Sequence, residues 1–303
     1  MDLGESPSNK MIKVWIEAMR LRTLPVSVAG VLAGTACARY CGGFNTLPFI
    51  ISLFFAILAQ IASNFANEYF DFKKGLDKKG CAGFRRGVTE GDISPKAMLG
   101  ATLGVLAFDC LLGLSLIYWG GWWLIPVGIA IALFALGYSA GPYPLSHHGL
   151  GEIAVIIFFG IVPVCFTCFV QTGDWENLWS LTFPVGMAIG LMGANVLIVN
   201  NYRDVEDDRA AGKHTTVVIF GRKAMSNVYF FNGVIACILL VWVTIGRFPI
   251  LWQAGTLLYL NFHYLLWTRM RHSEGSELNP LLGKTAILMF VLSLWLIAMT
   301  ALH

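Results

Sequence analysis

Apolar runs of about 20 residues, long enough to cross a bilayer, follow one another along this chain with short polar stretches between them. Nine are legible, centred on 24–42, 47–68, 95–118, 122–140, 150–170, 179–200, 224–245, 249–267 and 283–302. One such run reads equally well as a buried helix of a soluble protein. Nine in series predict an all-α membrane protein, with residues 1–303 forming a single domain of nine transmembrane helices. Residues 1–22 precede the first run and are polar, then amphipathic, with Trp15 among basic residues. That pattern suits a helix lying along the interface, and it lacks the short apolar core and small-residue cleavage site of a signal peptide.

Composition agrees: 56% of residues are hydrophobic and 13% charged, where soluble domains run near 25% charged. The cations are unevenly placed. With nine crossings, 19 of the 21 Lys and Arg residues fall on the side that holds the N-terminus and the loops after the even-numbered spans. Only Arg39 and Arg247 fall opposite, so the crowded side is expected to be cytoplasmic. These cations share their loops with carboxylates and the net charge is only +3, which argues against nucleic-acid binding. Cys165 and Cys168 form a CxxC inside an apolar run with no second pair, and read as small packing residues rather than metal ligands.

Two polar segments on the cytoplasmic side, about 67–94 and 200–223, are expected to cap the bundle. The first opens as NEYFDFKKGLD (67–77) and the second as NNYRDVEDDRAAGKHT (200–215). Asn64, Asn67 and Asp71 are spaced three and four, and so are Asn201, Asp204 and Asp208, a spacing that stacks side chains on one helix face. Carboxylates this close repel unless a cation lies between them. Magnesium suits such a site, because it binds one or two protein carboxylates together with substrate phosphate oxygens.

Asn67, Asp71, Asp77, Asp204 and Asp208 are therefore candidate metal ligands. Lys73, Lys74, Arg209 and Lys213 are candidate donors to a phosphate that the metal does not fully neutralise, and Asn64 and Asn201 share their faces. Arg22, beside Pro25 at the start of the first span, is a further anion-binding candidate that reads equally as a topology anchor. Arg85 and Arg86 read either way too. Two carboxylate clusters around a diphosphate at a membrane surface point to ionisation of an allylic C–O bond, with metal withdrawing charge from the leaving group. The resulting cation must be kept from water, and aromatic rings can face it.

These strings resemble the UbiA-type intramembrane aromatic prenyltransferases, and within them the branch that prenylates 1,4-dihydroxy-2-naphthoate in menaquinone biosynthesis. The resemblance runs from RLRTLPVSVAGVLAGT through both Asp segments and YSAGPYPLSHHGLGEI to LNPLLGKTA. It implies a nine-helix bundle around a central cavity that opens laterally to lipid, and a polyprenyl diphosphate held there through Mg²⁺, with Asp71 and Asp208 central to catalysis. It also implies attack by the naphthoate ring on C1 of the prenyl chain, with loss of CO2 and diphosphate, giving a demethylmenaquinone in the cell membrane. Glu68 stands where the family usually has Asp, and is left off the ligand set. In GPYPLSHHGLGE, Tyr143 is a candidate to touch the diphosphate or the cation, and His147 and His148 to meet the naphthoate; all three also fit an interfacial Gly/Pro turn. Asp109, midway along the third span, is an intramembrane acid with no partner in the sequence pattern.

Two other classes were weighed. A cation transporter would place its carboxylates near the midplane, whereas these sit at helix ends. A phosphatidyltransferase would carry a DG-x2-AR string, which is absent. Other UbiA-type acceptors, such as 4-hydroxybenzoate, homogentisate or haem, fit the strings less well.

Overall fold

The computed structural model describes residues 7–77, 79, 83, 85–247 and 250–300. Lys78, counted above among the cytoplasmic cations, and the start of the N-terminal segment lie outside the described residues. The described chain is helical, without strands. In chain order the helices are α1 (Pro7–Ala18), α2 (Leu24–Tyr40), α3 (Thr46–Lys73), α4 (Pro95–Gly120), α5 (Leu124–Gly137), α6 (Gly151–Thr172), α7 (Leu178–Arg203), α8 (Val205–Ala210), α9 (Thr216–Thr244), α10 (Leu251–Arg271) and α11 (Gly275–Thr300).

Among the described residues, seven helices are long and apolar enough to cross a membrane: the α1–α2 run from Asn9 to Tyr40, α3, α4, α6, α7, α9 and α11. The remaining two of the nine expected runs are α5 and α10. α5 has 14 residues and spans about 21 Å, short of a hydrocarbon core of about 30 Å. α10 has 21 residues, but Gln253, Asn261 and His263 interrupt its apolar character.

Local sequence explains where helices begin. Asn45 caps α3 by accepting from the Leu47 amide at 3.3 Å, and Ser94 caps α4 by accepting from the Ala97 amide at 3.2 Å, with Pro95 next; both satisfy amides that a helix start leaves without partners. α1 and α2 are separated by Arg20 in the left-handed region (φ 53°, ψ 55°) and a single 3₁₀ turn. α1 is not simply laid on a surface. Val14 and Ala18 are buried with Phe65 of α3, Val88, Ile93 and Met98, and Trp15 meets Phe65 edge-on at 5.5 Å. Its Met11, Ile12 and Ile16 remain exposed, as an interfacial helix requires.

α7 is the core of the bundle, buried along most of its length against α9, α6, α11 and α2. α3 packs chiefly on α4, and also on α2 and α5. Small residues let the backbones approach. A β-carbon at Gly160 would collide with the backbone of Gly190, and one at Gly34 with the backbone of Val164, the close crossing that membrane helices use where apolar burial gives no drive. Gly160 lies in a π-helical turn, Ile156–Ile161, inside α6. Cys165 and Cys168 are free thiols buried in the packing. This arrangement brings the C-terminal ends of α3 and α7 to the same end of the molecule.

Candidate active site

The last turns of α3, the break between α7 and α8, and the loop 138–148 enclose a cavity of about 210 Å³. Asp71 is its most buried carboxylate, with no exposed surface. Lys213, from the segment after α8, donates to Asp71 Oδ2 at 3.0 Å and stands 3.9 Å from Asp208 Oδ1. The Asp71 and Asp208 carboxylates thus lie no further apart than those two distances together, within reach of a pair of ions about 4 Å apart. His147 Nε2 lies 3.4 Å from Asp71 Oδ1, without hydrogen-bond geometry.

Asn67 is the hub of the first segment. Its Oδ1 accepts from Arg20 at 2.7 Å and from Arg86 at 3.0 Å, and its amide donates to Ser139 Oγ at 2.9 Å and to Asp71 Oδ2 at 3.4 Å. Arg86 Nε also stands 3.6 Å from Asp77 Oδ1. In the second segment Arg203 is buried and grips Asp204 through Nε (2.7 Å) and Nη2 (2.6 Å), while also donating to Asn200 and Asn279 at 2.8 Å. A two-pronged guanidinium grip of this kind fixes orientation as well as charge. The first loop reaches across to it, since a β-carbon at Gly83 would fall 2.9 Å from Arg203 Nη2.

Burial raises Asp77 to about 7, helped by the charge of Asp71, against Lys213 and Arg20. Burial also raises Asp208 to about 7, with Asp204 and Asp71 adding and Lys213 opposing. Burial alone would lower Lys213, but Asp71 and Asp208 outweigh it and hold the ammonium above its ordinary range. Carboxyls lifted this way lack sufficient positive charge. Among the described residues, Asp71 Oδ1 and Asp77 Oδ2 are buried without a hydrogen-bond partner. Among the described residues no three His, Cys, Asp or Glu side chains close on one point as a metal cage. The carboxylates instead face the cavity from two sides, which fits magnesium shared between one or two protein carboxylates and phosphate oxygens.

Of the expected site residues, Asn64, Asn67, Asp71, Asp77, Asn201, Asp204, Asp208 and Lys213 line the cavity. Asn64 also donates to the Met19 carbonyl at 3.0 Å, and Asn201 to Glu152 at 3.0 Å. Lys74 ties down the 138–148 loop, donating to the Ser139 carbonyl at 2.9 Å and the Gly141 carbonyl at 3.4 Å. Four residues lie elsewhere. Arg22 and Lys73 are exposed outside the lining, and Arg209 pairs with Glu206 at the surface. Tyr143 is 61% exposed and stacks on His148, whose Nδ1 is 2.8 Å from the Pro144 carbonyl. Glu68 is buried behind the cavity, accepting from the Val88 amide at 3.0 Å. The two neighbouring arginines part company: Arg86 enters the cavity, while Arg85 turns outward to Glu17 and Asp92.

Arg20, Arg203, Tyr138 and Ser139 join the site without having been singled out from sequence. Arg203 directly precedes Asp204 and was visible as its neighbour. Beyond the polar cavity lies an apolar chamber of about 390 Å³, bounded by α3, α4, α5 and α6. Gln60, Ser63, Phe134 and Phe159 line both spaces and form the threshold between them.

Residues 27–297 match the model of the UbiA prenyltransferase family. Over 306 residues the chain is 32% identical to the 1,4-dihydroxy-2-naphthoate octaprenyltransferase of Escherichia coli, covering 94% of this chain and 96% of that one. It is 35% identical over 226 residues to the enzyme of the same name from Haemophilus influenzae, covering 70% and 71%. The fold matches a UbiA homolog from Archaeoglobus fulgidus bound to DMAPP and Mg²⁺, with a TM-score of 0.65 at 16% identity over 94% of this chain and 99% of that one. With a family model spanning most of its length and a bacterial relative matched nearly end to end, the chain belongs to the UbiA prenyltransferase family.

Proposed function

We propose that this protein transfers a polyprenyl group from polyprenyl diphosphate to 1,4-dihydroxy-2-naphthoate, with loss of CO2 and diphosphate, giving a demethylmenaquinone. The observation that carries this reading is one lysine, Lys213, held between Asp71 and Asp208 at the mouth of a cavity that continues into an apolar chamber. A diphosphate needs the first space and a prenyl tail the second. The names of the relatives at 32% and 35% identity support naphthoate over other ring acceptors, and carboxylates at helix ends rather than mid-span weigh against a cation transporter.

In this reading Asp71, Asp77, Asp204, Asp208 and Asn67 would hold Mg²⁺, which when bound withdraws negative charge from the leaving diphosphate. Lys213, Arg20 and Arg86 supply donors from the protein side. Lys213 stands between the two carboxylates, where its ammonium would be placed to donate to a phosphate oxygen of a bound diphosphate. As the C1–O bond breaks, the allylic cation forms near the Tyr138, Phe134 and Phe159 rings, whose faces stabilise positive charge and exclude water. The acceptor ring attacks C1, a C–C bond forms at the carbon bearing the carboxylate, and that carboxylate departs as CO2. His147 stands beside Asp71, placed to meet an acceptor carboxylate or hydroxyl. Chain 1–303 works as one membrane domain, with α5 and α10 completing nine crossings and the Asp segments facing the cytoplasm, as the cation distribution supports.

The test is to give purified protein several prenyl diphosphates and aromatic acceptors and to identify the lipids by mass spectrometry. The expected product is prenylated, decarboxylated naphthoquinol, lost in EDTA and restored by Mg²⁺. Undiminished product in chelator, or a preference for another ring, would overturn the metal or the acceptor assignment.

A further inference from the structure

We infer that Asp109 forms a second ligand site, in the apolar chamber, that binds the hydroxyl of an isoprenoid lipid. The identity of that lipid class rests on the reaction proposed above. Asp109 lies on α4, 14 residues past Pro95 and so about 21 Å along the helix, deep in the chamber and away from the Asp segments. It is 2% exposed, and its Oδ1 has no hydrogen-bond partner among the described residues. A polar group left so in an apolar setting is costly, and an intramembrane acid is retained for a purpose.

Nothing about passing a hydrocarbon tail calls for a carboxyl. Leu106 and Leu114, on the same wall of the chamber, show what such a wall uses. A carboxyl accepts hydrogen bonds when ionised, and both donates and accepts when protonated; a hydroxyl satisfies either form. Phe55, Phe158 and Phe166 line the same chamber and offer apolar aromatic surface. The fitting ligand is therefore an apolar, ring- or isoprene-bearing molecule with a hydroxyl group. It has a route in from the side, since Leu114, Ile129 and Leu133 line the chamber and are 51%, 55% and 66% exposed.

Two lipids share this chemistry: a prenylated naphthohydroquinone, which is the proposed product in reduced form, and a polyprenol. Because the chamber joins the diphosphate cavity at Gln60, Ser63, Phe134 and Phe159, either occupant would exclude the donor's tail. The site would then act as a product sensor, slowing the enzyme as its lipid accumulates in the bilayer.

The experiment uses full-length protein in lipid nanodiscs with radiolabelled prenyl naphthohydroquinone, its dimethyl ether and a polyprenol, binding being measured without Mg²⁺ or donor. Wild-type protein should bind the hydroxylated ligands at least about tenfold more tightly than the ether, and Asp109→Leu should lose about tenfold, the loss of one hydrogen bond. Asp109→Asn, which can still donate and accept, should stay within about threefold of wild type. The same ligands should inhibit prenyl transfer competitively with the donor, and in Asp109→Leu their inhibition, measured against that variant's own uninhibited rate, should weaken about tenfold. Asp109-dependent binding of either lipid supports the site, and the tighter of the two identifies its source. Equal affinity of wild type and Asp109→Leu, or of the hydroquinone and its ether, overturns it. Hydroxyl-dependent binding in a protein that transfers no prenyl group would sink the proposed reaction and leave this site standing.

Discussion

In α3 one unbroken helix carries Asn64, Asn67 and Asp71 to its end, whereas the same spacing of three and four in Asn201, Asp204 and Asp208 is divided between α7 and α8. In the first segment the side chains stack as the spacing implies, with Asn67 reaching Asp71 at 3.4 Å, and the last carboxylate is fully buried. In the second the helix breaks at Asp204 (φ −95°, ψ 9°), and Asp208 is carried separately on α8. The neutralising partners differ as well. Asp204 is gripped by the residue before it in sequence, Arg203, while Asp71 is met by Lys213 from the far segment. Identical spacing thus yields one carboxylate held locally and one whose charge is balanced only when both halves of the chain come together.

The largest expected effect probes that dependence. Asp71→Asn and Asp208→Asn should each lower prenyl transfer by on the order of a thousandfold or more, the scale of losing a metal's transition-state contribution, with circular dichroism and monodispersity unchanged. Turnover within tenfold of wild type in either variant would break the pairing of the two segments. Lys213→Ala should cost about a hundredfold, typical of removing one preorganised donor. Arg209→Ala, at the fifth residue of α8 but paired outward with Glu206, should stay within about twofold, as exposed pairs contribute little. An equal loss in both would show that the resting geometry does not select between these cations.

A pH titration sharpens the comparison further. Asp77 and Asp208 are lifted to about 7 by burial, so a divalent cation binding there at neutral pH must displace protons. Affinity for Mg²⁺ should fall as pH drops through about 7, by up to about tenfold per unit for each proton displaced. Without the cation the stability trend runs the other way. The folded carboxyls hold protons that unfolded ones release, so metal-free stability declines as pH rises from about 4 to about 7 and levels above it. Thermal unfolding with and without Mg²⁺ across this range measures both slopes, and a stabilisation by Mg²⁺ that ignores pH would refute the assignment. The smallest effect concerns the local clamp. Arg203→Met removes the guanidinium donors to Asp204, Asn200 and Asn279 and should destabilise by about 2–3 kcal/mol, below a fully buried pair because Asp204 keeps some exposure; a change under about 0.5 kcal/mol would show the clamp to be dispensable.

Much of this was legible in the chain. The apolar runs, the two Asp segments and their meeting at one end follow from solvent preference and charge placement, and Asp71, Asp208 and Lys213 could be named from spacing alone. Three of the four residues that sequence did not reveal, Arg20, Tyr138 and Ser139, share one cause: the backbone leaves regular geometry beside them. Arg20, not Arg22, enters the cavity because the chain turns left-handed at Arg20, so helical phase from α2 cannot be carried back across it. Tyr138 and Ser139 take the position expected of Tyr143 because the loop after α5 turns twice before α6, leaving Tyr143 outside on His148. Arg203 was hidden by plainness, since a cation beside an acid at a helix end reads as a solvated pair until its burial is seen.

The π-helical turn at Ile156–Ile161 carries a consequence of its own. It follows the Glu152 end of α6 and itself carries Phe159, at the threshold of the chamber, and it accommodates one residue more than a regular helix would. Removing a single residue there would let α6 relax to ordinary winding with its two halves kept close to their present phase, because the wider turn is what absorbs the surplus residue, and would draw Phe159 and Gly160 from the places that turn gives them. The wall between the wet and the greasy compartments is therefore shaped by a surplus residue as well as by residue identity, and deleting that residue should alter the threshold while the rest of α6 keeps its packing.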